Sequence, residues 1–460
     1  KVNESKLFVV GEKPDDFAIQ NILIIDNQDY HKTYNFKHWS KADLNGRIII
    51  YQVPEEGIYF LKYSGVADMF LNGIAVKPGK IYVFSTGSNI RSDKMSSIYY
   101  SDILSRFIKK TEERLTFEVN DLSYRFKAGN LGLRNISFAE ESGKLIGIMG
   151  ASGAGKSTLL HVLNGTESPS EGQVLINGID IHQNPEEIEG VIGFVPQDDL
   201  LMEDLSVYKN LYFAAKLCFS QLTETEIDKL VTKTLKSLGL YEVQDLKVGS
   251  PLQKTISGGQ RKRLNIGLEL LREPSVLFLD EPTSGLSSRD SENIMDLLKE
   301  LALKGKLIFV VIHQPSSDIF KMFDRLVILD VGGYPIFYGD PVEGVIYFKK
   351  QINLLNAELG ECIECGNVNP EQIFNIIETR VVNEFGRLTP ERKISPEQWN
   401  ALYVDNIKHP TLVNEENRPK STLNIPNFLK QFKVFLSRDL LSKLSNRQYL
   451  IINLLEAPLL

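Results

Sequence analysis

Apolar positions follow two regimes along the 460 residues. Up to about residue 105 they come in short runs separated by turn residues: Ile22–Ile25, Arg47–Val53, Ile58–Tyr63, Met69–Leu71, Ile74–Val76 and Ile81–Phe84. Runs of this length between breakers read as strands. Asn72-Gly73 sits between two of them and fits a two-residue hairpin, because both central residues of that turn need positive φ. Pro78-Gly79 marks a second turn. A small β-sandwich or barrel is expected over 1–105. A helix over 98–114 is expected to lead out of it, with 106–114 as linker.

From about 115 the pattern changes. Leu145–Met149, Val191–Val195, Val276–Leu279 and Leu307–Ile312 are continuous apolar runs that read as buried strands, and helical segments alternate with them. That alternation argues for an α/β layered domain over 115–350. A helical insert occupies about 200–255. Within it Thr223-x-x-Glu226 is a capping box, Ile227, Leu230, Val231, Leu235 and Leu238 make one apolar face, and Gly239 stops the helix. A mixed extension follows over 351–425. Residues 426–445 give a basic amphipathic helix: Phe428, Leu429, Phe432, Phe435, Leu436 and Leu440 share a face, with Lys430, Lys433, Arg438, Lys443 and Arg447 around it. Such a helix suits a membrane surface or a docking role, or packs on its own domain. The run Tyr449–Leu460 is too short to span a bilayer and carries Glu456. It reads either as a buried C-terminal helix or as the approach to a membrane segment.

Composition narrows the classes. The formal net charge of −7 disfavours nucleic acid as a partner, since phosphate contacts need a basic face. Three cysteines imply no disulfide framework and fit a reducing compartment. The chain opens on Lys1, without initiator Met or signal peptide, which reads as a boundary within a longer protein.

The candidate chemistry is phosphoryl transfer. Gly150-Ala-Ser152-Gly153-Ala154-Gly155-Lys156-Ser157-Thr158 fits the phosphate-binding loop, with a strand before it and an apolar helix after it. The glycines let backbone N–H groups curl around phosphates, and the helix N-terminus adds positive potential. Lys156 is placed to reach the β- and γ-phosphates and Ser157 to ligate Mg²⁺. The strand Val276–Leu279 runs into Asp280 and Glu281. Asp280 is placed to hold Mg²⁺ and Glu281 to orient the attacking water, in a reaction that needs positioning and charge stabilisation more than covalent help. Ser257-Gly258-Gly259-Gln260 lies 101 residues after Lys156 and 23 before Asp280.

The order of phosphate loop, Gln197, Ser257–Gln260, Asp280-Glu281 and His313 resembles the ATP-binding domain of ABC transporters. Ile256–Arg263, Asp280–Leu286 and Ile312–Ile319 are similar to the white/pigment-precursor (G) subfamily of half-transporters, as are Asn369–Phe374 and Arg438–Leu460. The resemblance implies an α/β P-loop NTPase of the ABC type with a helical subdomain, preceded by the β-sandwich-like domain, with 426–460 as connecting helix and start of a membrane domain. It implies an ATPase that powers transport, with ATP and Mg²⁺ as ligands. Glu281, His313 and Gln197 would be catalytic, and Ser157, Gln197 and Asp280 would hold the metal. Gly150, Ser152, Gly153, Ala154, Gly155, Lys156, Ser157 and Thr158 would bind the phosphates, with Phe126, or Tyr124 on the same strand face, stacking on adenine. Ser257, Gly258, Gly259 and Gln260 would act on ATP held by a second ATPase copy, identical or not. A transmembrane domain beyond Leu460 and a position on the cytoplasmic face of a membrane also follow. A soluble ABC ATPase with a non-transport or regulatory role is the alternative.

One departure stands out. The family's loop after the acidic strand usually ends in Asp, and here it ends in Ser287. Phe70–Phe84 also resembles the last strands of a forkhead-associated domain, but the phosphothreonine-binding Ser-x-x-His element is missing between Gly46-Arg47 and Asn72-Gly73. Cys362 and Cys365 have metal-ligand spacing without a second pair. His31, His38, His161, His182 and His409 show no ligand spacing.

Overall fold

The computed structural model describes residues 21–28, 36–53, 58–85, 88–92, 95–108, 115–250, 255–354, 368–382, 387–406, 423–446 and 449–453. The expectations for Cys362, Cys365, His31, His409, Arg447, residues 109–114 and residues 454–460 lie outside them. The chain divides into two compact units, residues 1–110 with 361–368, and residues 111–360 with 369–460.

The first unit is two sheets around one core. Its elements are β1 (Ile22–Asp26), β2 (Lys37–Ser40), β3 (Arg47–Val53), β4 (Ile58–Ser64), β5 (Phe70–Leu71), β6 (Ile74–Ala75), β7 (Ile81–Phe84), β8 (Asn89–Ser92), β9 (Met95–Tyr99) and the helix α1 (Tyr100–Phe107). The sheet orders are β2-β1-β3-β4-β7 and β6-β5-β8-β9. Asn72 (φ 53°) and Gly73 (φ 81°) form the hairpin turn between β5 and β6, with Leu71 opposite Ile74. The helix differs from the expected 98–114. Ile98 and Tyr99 pair into β9, so α1 opens at Tyr100. Its Tyr100, Ile103 and Leu104 are buried in the same core as Leu23, Tyr59 and Phe84, because their spacing of three and four gives one inward face. The helix is therefore part of this unit's core rather than a spacer. His38 has a structural partner in Asp26, whose other oxygen takes Arg47, both at 3.0 Å.

The second unit opens with β10 (Thr116–Arg125) and β11 (Leu131–Glu141), followed by β12 (Leu145–Gly150), α2 (Lys156–Leu163), β13 (Glu171–Ile176), β14 (Ile179–Asp180) and β15 (Ile192–Val195). The helical insert supplies α3 (Val207–Cys218), α4 (Glu224–Ser237) and α5 (Gly258–Leu270). The chain then runs through β16 (Val276–Asp280), α6 (Ser288–Leu303), β17 (Leu307–Val311), α7 (Ser317–Met322), β18 (Arg325–Asp330), β19 (Tyr334–Gly339) and α8 (Pro341–Gln351). After the undescribed stretch come α9 (Glu371–Ile377), β20 (Arg380–Val382), β21 (Leu388–Arg392), α10 (Pro396–Asn406) and α11 (Phe428–Ser445).

The large sheet has the order β15-β16-β17-β12-β18-β19, parallel except for the last pair. Its inner strands are buried on both faces, which is why they read as continuous apolar runs. A second, antiparallel sheet, β11-β10-β13-β14, shares its core, where Phe278 and Phe309 stack with ring centroids 5.0 Å apart. In the insert, the Thr223–Glu226 capping box forms and Ile227, Val231 and Leu235 pack on Leu211 and Leu264. Helix α11 touches α3, yet Phe428, Leu429, Phe432, Leu436 and Leu440 are all exposed. Among the described residues no helix is long and apolar enough to cross a membrane.

Candidate functional site

Strand β12 delivers the chain to the phosphate loop and α2 takes it away. Between them Gly150, Gly153 and Gly155 have φ of 158°, 77° and 94°. The last two lie where side chains are disfavoured, so the loop's curl depends on glycine there. The Lys156 ammonium folds back over this loop, donating to the carbonyl oxygens of Gly150 at 3.0 Å and Ala151 at 2.9 Å. Burial pushes it below the usual lysine value, against the pull of Glu281 and Asp280.

Those two acids come from the end of β16. The Ser157 hydroxyl lies 3.5 Å from Asp280 Oδ1, so a hydroxyl and a buried carboxylate sit side by side next to the loop. Oxygen donors of this kind suit Mg²⁺, which takes few protein ligands and fills its shell with phosphate oxygens and water. Among the described residues no cluster of three or more His, Cys, Asp or Glu side chains could hold a metal by itself. Burial lifts the Asp280 carboxyl above the usual aspartate value; the Ser157 hydroxyl opposes this and Glu281 adds to it. A carboxylate raised in the folded state costs stability wherever it is ionised, and the cost fades as the pH falls through the raised value toward the unfolded one. Asp280→Asn is therefore expected to raise the melting temperature at neutral pH by roughly 2–4 °C, the shift that 1 kcal/mol gives a domain of this size. Thermal scans across pH should show the gain shrinking toward the ordinary aspartate range; a loss of stability at neutral pH would contradict this assignment.

Glu281 is gripped at both oxygens. His313 Nε2 lies 2.8 Å from Oε1 and Gln197 Nε2 donates to Oε2 at 3.0 Å. The backbone at Glu281 is left-handed, φ 45°, and so is Gln314 beside His313, φ 41°. Two non-glycine residues in that region, one bearing the carboxylate and one next to the histidine that grips it, mark backbone held in place by its surroundings. The structure thus gathers Lys156, Ser157, Asp280, Glu281, Gln197 and His313.

Ser257 is exposed at the start of α5. It caps the helix: its hydroxyl accepts from Gln260 N, and Gln260 Oε1 accepts from Ser257 N at 2.8 Å. Gly259 has no room for a side chain, since a Cβ would stand 2.6 Å from Asp290 Oδ1. Asp290 is itself held by Ser287, which caps α6 by accepting from Asp290 N and donating to Oδ2 at 2.9 Å. Serine and aspartate are interchangeable as caps, so Ser287 keeps the helix start that an aspartate would make.

Phe126 and Tyr124 stand edge to face with centroids 5.3 Å apart. The Tyr124 hydroxyl donates to Glu167, which leaves Phe126, 45% exposed, as the aromatic with an open surface. Its ring leans on Gly132, whose carbonyl oxygen would be 2.9 Å from a Cβ at Gly155.

Sequence reasoning missed the partners that tie these pieces together. Lys262 Nζ donates to the Gln197 carbonyl at 2.8 Å, and Arg261 Nε pairs with Asp199 at 3.2 Å; both basic side chains are buried. The helix that begins at Ser257 is thereby bound to the segment carrying Gln197. The signal available was three consecutive cations, Arg261 to Arg263, on a helix whose inward face must hold some of them. Cys218 is half-buried, and burial pushes its thiol up to about 11, away from thiolate reactivity.

Residues 133–284 match the ABC transporter family model. ABC transporter G family member 28 of Arabidopsis thaliana is 41% identical over 243 residues, 52% of this chain and 22% of its own length. ABC transporter G family member 24 of Dictyostelium discoideum is 40% identical over 66% of this chain and 26% of its own. ATP-binding cassette sub-family G member 8 of Rattus norvegicus is 38% identical over 48% of this chain and 32% of its own. The chain spans less than a third of the length of each. The solved structure of cbiO1 from Clostridium perfringens, part of the ABC transporter complex cbiONQ, is 30% identical over 52% of this chain and 93% of that one, with a TM-score of 0.45.

Proposed function

We propose that this chain, whose second unit carries an ABC transporter ATPase domain with relatives in the G family, binds and hydrolyses ATP to power transport across a membrane. The observation that carries the reading is the gathering of Lys156, the Ser157–Asp280 pair and a Glu281 carboxylate held by Gln197 and His313. In this reading the loop amides and Lys156 bind the phosphates, and Phe126 stacks on the adenine. Ser157, Asp280 and Gln197 hold Mg²⁺, which when bound neutralises charge on the phosphates. Glu281 and His313 orient a water in line with the bond to be broken. The water oxygen bonds the γ-phosphorus as the bond to the bridging oxygen breaks; ADP leaves with that electron pair, and the water's proton passes to phosphate or solvent.

Ser257–Gln260 acts on ATP bound to a second copy of the domain, identical or closely related. ATP then selects the closed pair because it contacts both halves only there. A transmembrane domain of the kind carried by G-family transporters turns closure into transport, which places this unit on the cytoplasmic face. The test is direct. The purified chain should bind a fluorescent ATP analogue and release phosphate from ATP only with Mg²⁺. Absence of nucleotide binding at millimolar concentration would refute the reading.

A further inference from the structure

Among the described side chains of the hairpin β20–β21 little apolar surface is buried: Val381 is 41% exposed and Leu388 70%. A two-stranded hairpin with so little buried apolar surface is marginal in water. What anchors it is Arg392, whose guanidinium reaches both carboxylate oxygens of Asp330, at 2.7 and 2.9 Å. Asp330 is 1% exposed and ends β18. Its Oδ1 also accepts from Val331 N at 2.7 Å, so the carboxylate fixes the start of the turn that follows.

The end of β18 and the turn that follows it approach the phosphate loop at its two ends. A Cβ at Gly150, the first loop glycine, would stand 2.4 Å from the Leu329 carbonyl oxygen. At the other end, Gly155 lies against Gly132 and, at 3.9 Å from its Cβ position, the α-carbon of Gly333. Gly333 presses on Gly132 so closely that a Cβ there would be 2.0 Å from the Gly132 carbonyl oxygen, and its φ of 76° forbids most side chains anyway. The turn is clasped further. Arg134 N donates to Gly333 O at 3.1 Å, Arg134 Nε donates to Gly332 O at 3.0 Å, and the guanidinium lies over the Tyr334 ring. From the other side Asn400 of α10 donates to Pro335 O at 2.7 Å.

We propose that Arg392 is a positioning residue for the phosphate loop: by holding Asp330 it fixes the segment Leu329–Gly333, which sets where Gly150 and Gly155 lie. The inference rests on the ATPase reading above and adds that residues beyond the family-matched 133–284 tune nucleotide affinity. The physical reason is that a buried carboxylate stripped of its cation does not stay put; the strand end shifts to hydrate it. A displacement of a few tenths of an ångström at Leu329, paired with Gly150, or at Gly333, pressed on Gly132, is passed to the loop.

Fluorescent ATP analogue titration and steady-state phosphate release on the full chain test this. Arg392→Ala should raise the dissociation constant and KM for ATP about tenfold, with kcat at saturation within about threefold of the parent. Arg392→Lys should recover most of the affinity. Ser395→Ala, which removes the cap of α10 and touches neither Asp330 nor the turn, should leave KM unchanged even if it lowers thermal stability. Should Arg392→Ala fail to fold, Asp330→Asn, which removes the charge from the pair, carries the same expectation of weakened binding. Parent-like affinity in Arg392→Ala or Asp330→Asn overturns the positioning role and leaves the ATPase reading standing. A parent chain that binds no nucleotide overturns both.

Discussion

Glu281→Gln is expected to slow ATP turnover by roughly 10²–10⁴-fold while leaving nucleotide binding within a few-fold of the parent, the range over which a positioned acid–base group acts. The geometry explains why binding survives. Glutamine keeps the side chain's size and one carbonyl oxygen, so it can still accept from Gln197 Nε2, which now donates to Glu281 at 3.0 Å. Lys156 keeps its contacts with the Gly150 and Ala151 carbonyls and its second acidic neighbour, Asp280, so its place at the loop does not depend on the Glu281 charge. What would be lost is the negative charge that, in the proposed reaction, polarises the water. His313→Ala and Gln197→Ala should each cost less, since each removes one of the two groups that grip Glu281 and leaves the carboxylate itself. Single-turnover phosphate release, with binding measured separately by the fluorescent analogue, distinguishes these outcomes. A Glu281→Gln protein that hydrolyses ATP at the parent rate removes Glu281 from the mechanism.

The residues of the candidate nucleotide site are legible because each has a type that the proposed chemistry demands at a fixed spacing. Gly150, Gly155, Lys156 and Ser157 can be read from sequence, and the structure joins them to Asp280 and Glu281. The buried strands of the large sheet were legible for a related reason: burial on both faces leaves an unbroken apolar run. Elements whose residues lack such a pattern were missed. β2 is Lys37-His-Trp-Ser40 and β8 is Asn89-Ile-Arg-Ser92, mostly polar and held in place by strand pairing. α1 lies within a helix that the sequence does announce; that its Tyr100, Ile103 and Leu104 complete the first unit's core depends on what the face packs against, which is not local information. The ties that fix the site were the least legible. Lys262 binds a backbone carbonyl 65 residues away and Arg392 a carboxylate 62 residues away, and nothing local announces either partner. The role of Gly333 comes from the Gly132 backbone pressed against it, which only the assembled fold supplies.

Ser257→Asp is expected to abolish ATP-driven association of two chains, and with it steady-state turnover, while leaving the fold and nucleotide binding intact. Aspartate caps a helix as well as serine does, so α5 keeps its start and Gln260 its partner. Any loss of stability should be small. The change is electrostatic: Ser257 is exposed at the tip of α5, and in the proposed dimer it faces the γ-phosphate held by the other copy. A like charge placed there costs several kcal/mol, more than a hundredfold in the closed population. The effect should also reach Glu281 through the structure. Four residues into α5, Lys262 holds the carbonyl of Gln197, and the Gln197 side chain holds Glu281. In the proposed dimer, an α5 that cannot close on the opposite ATP would leave the Gln197 segment, and the carboxylate it grips, without any bias from closure. Sedimentation with and without MgATP, using the Glu281→Gln background to hold ATP unhydrolysed, reads the association directly. Parent-like ATP-dependent dimerisation in the Ser257→Asp, Glu281→Gln double variant would show that Ser257 does not face a phosphate across the pair.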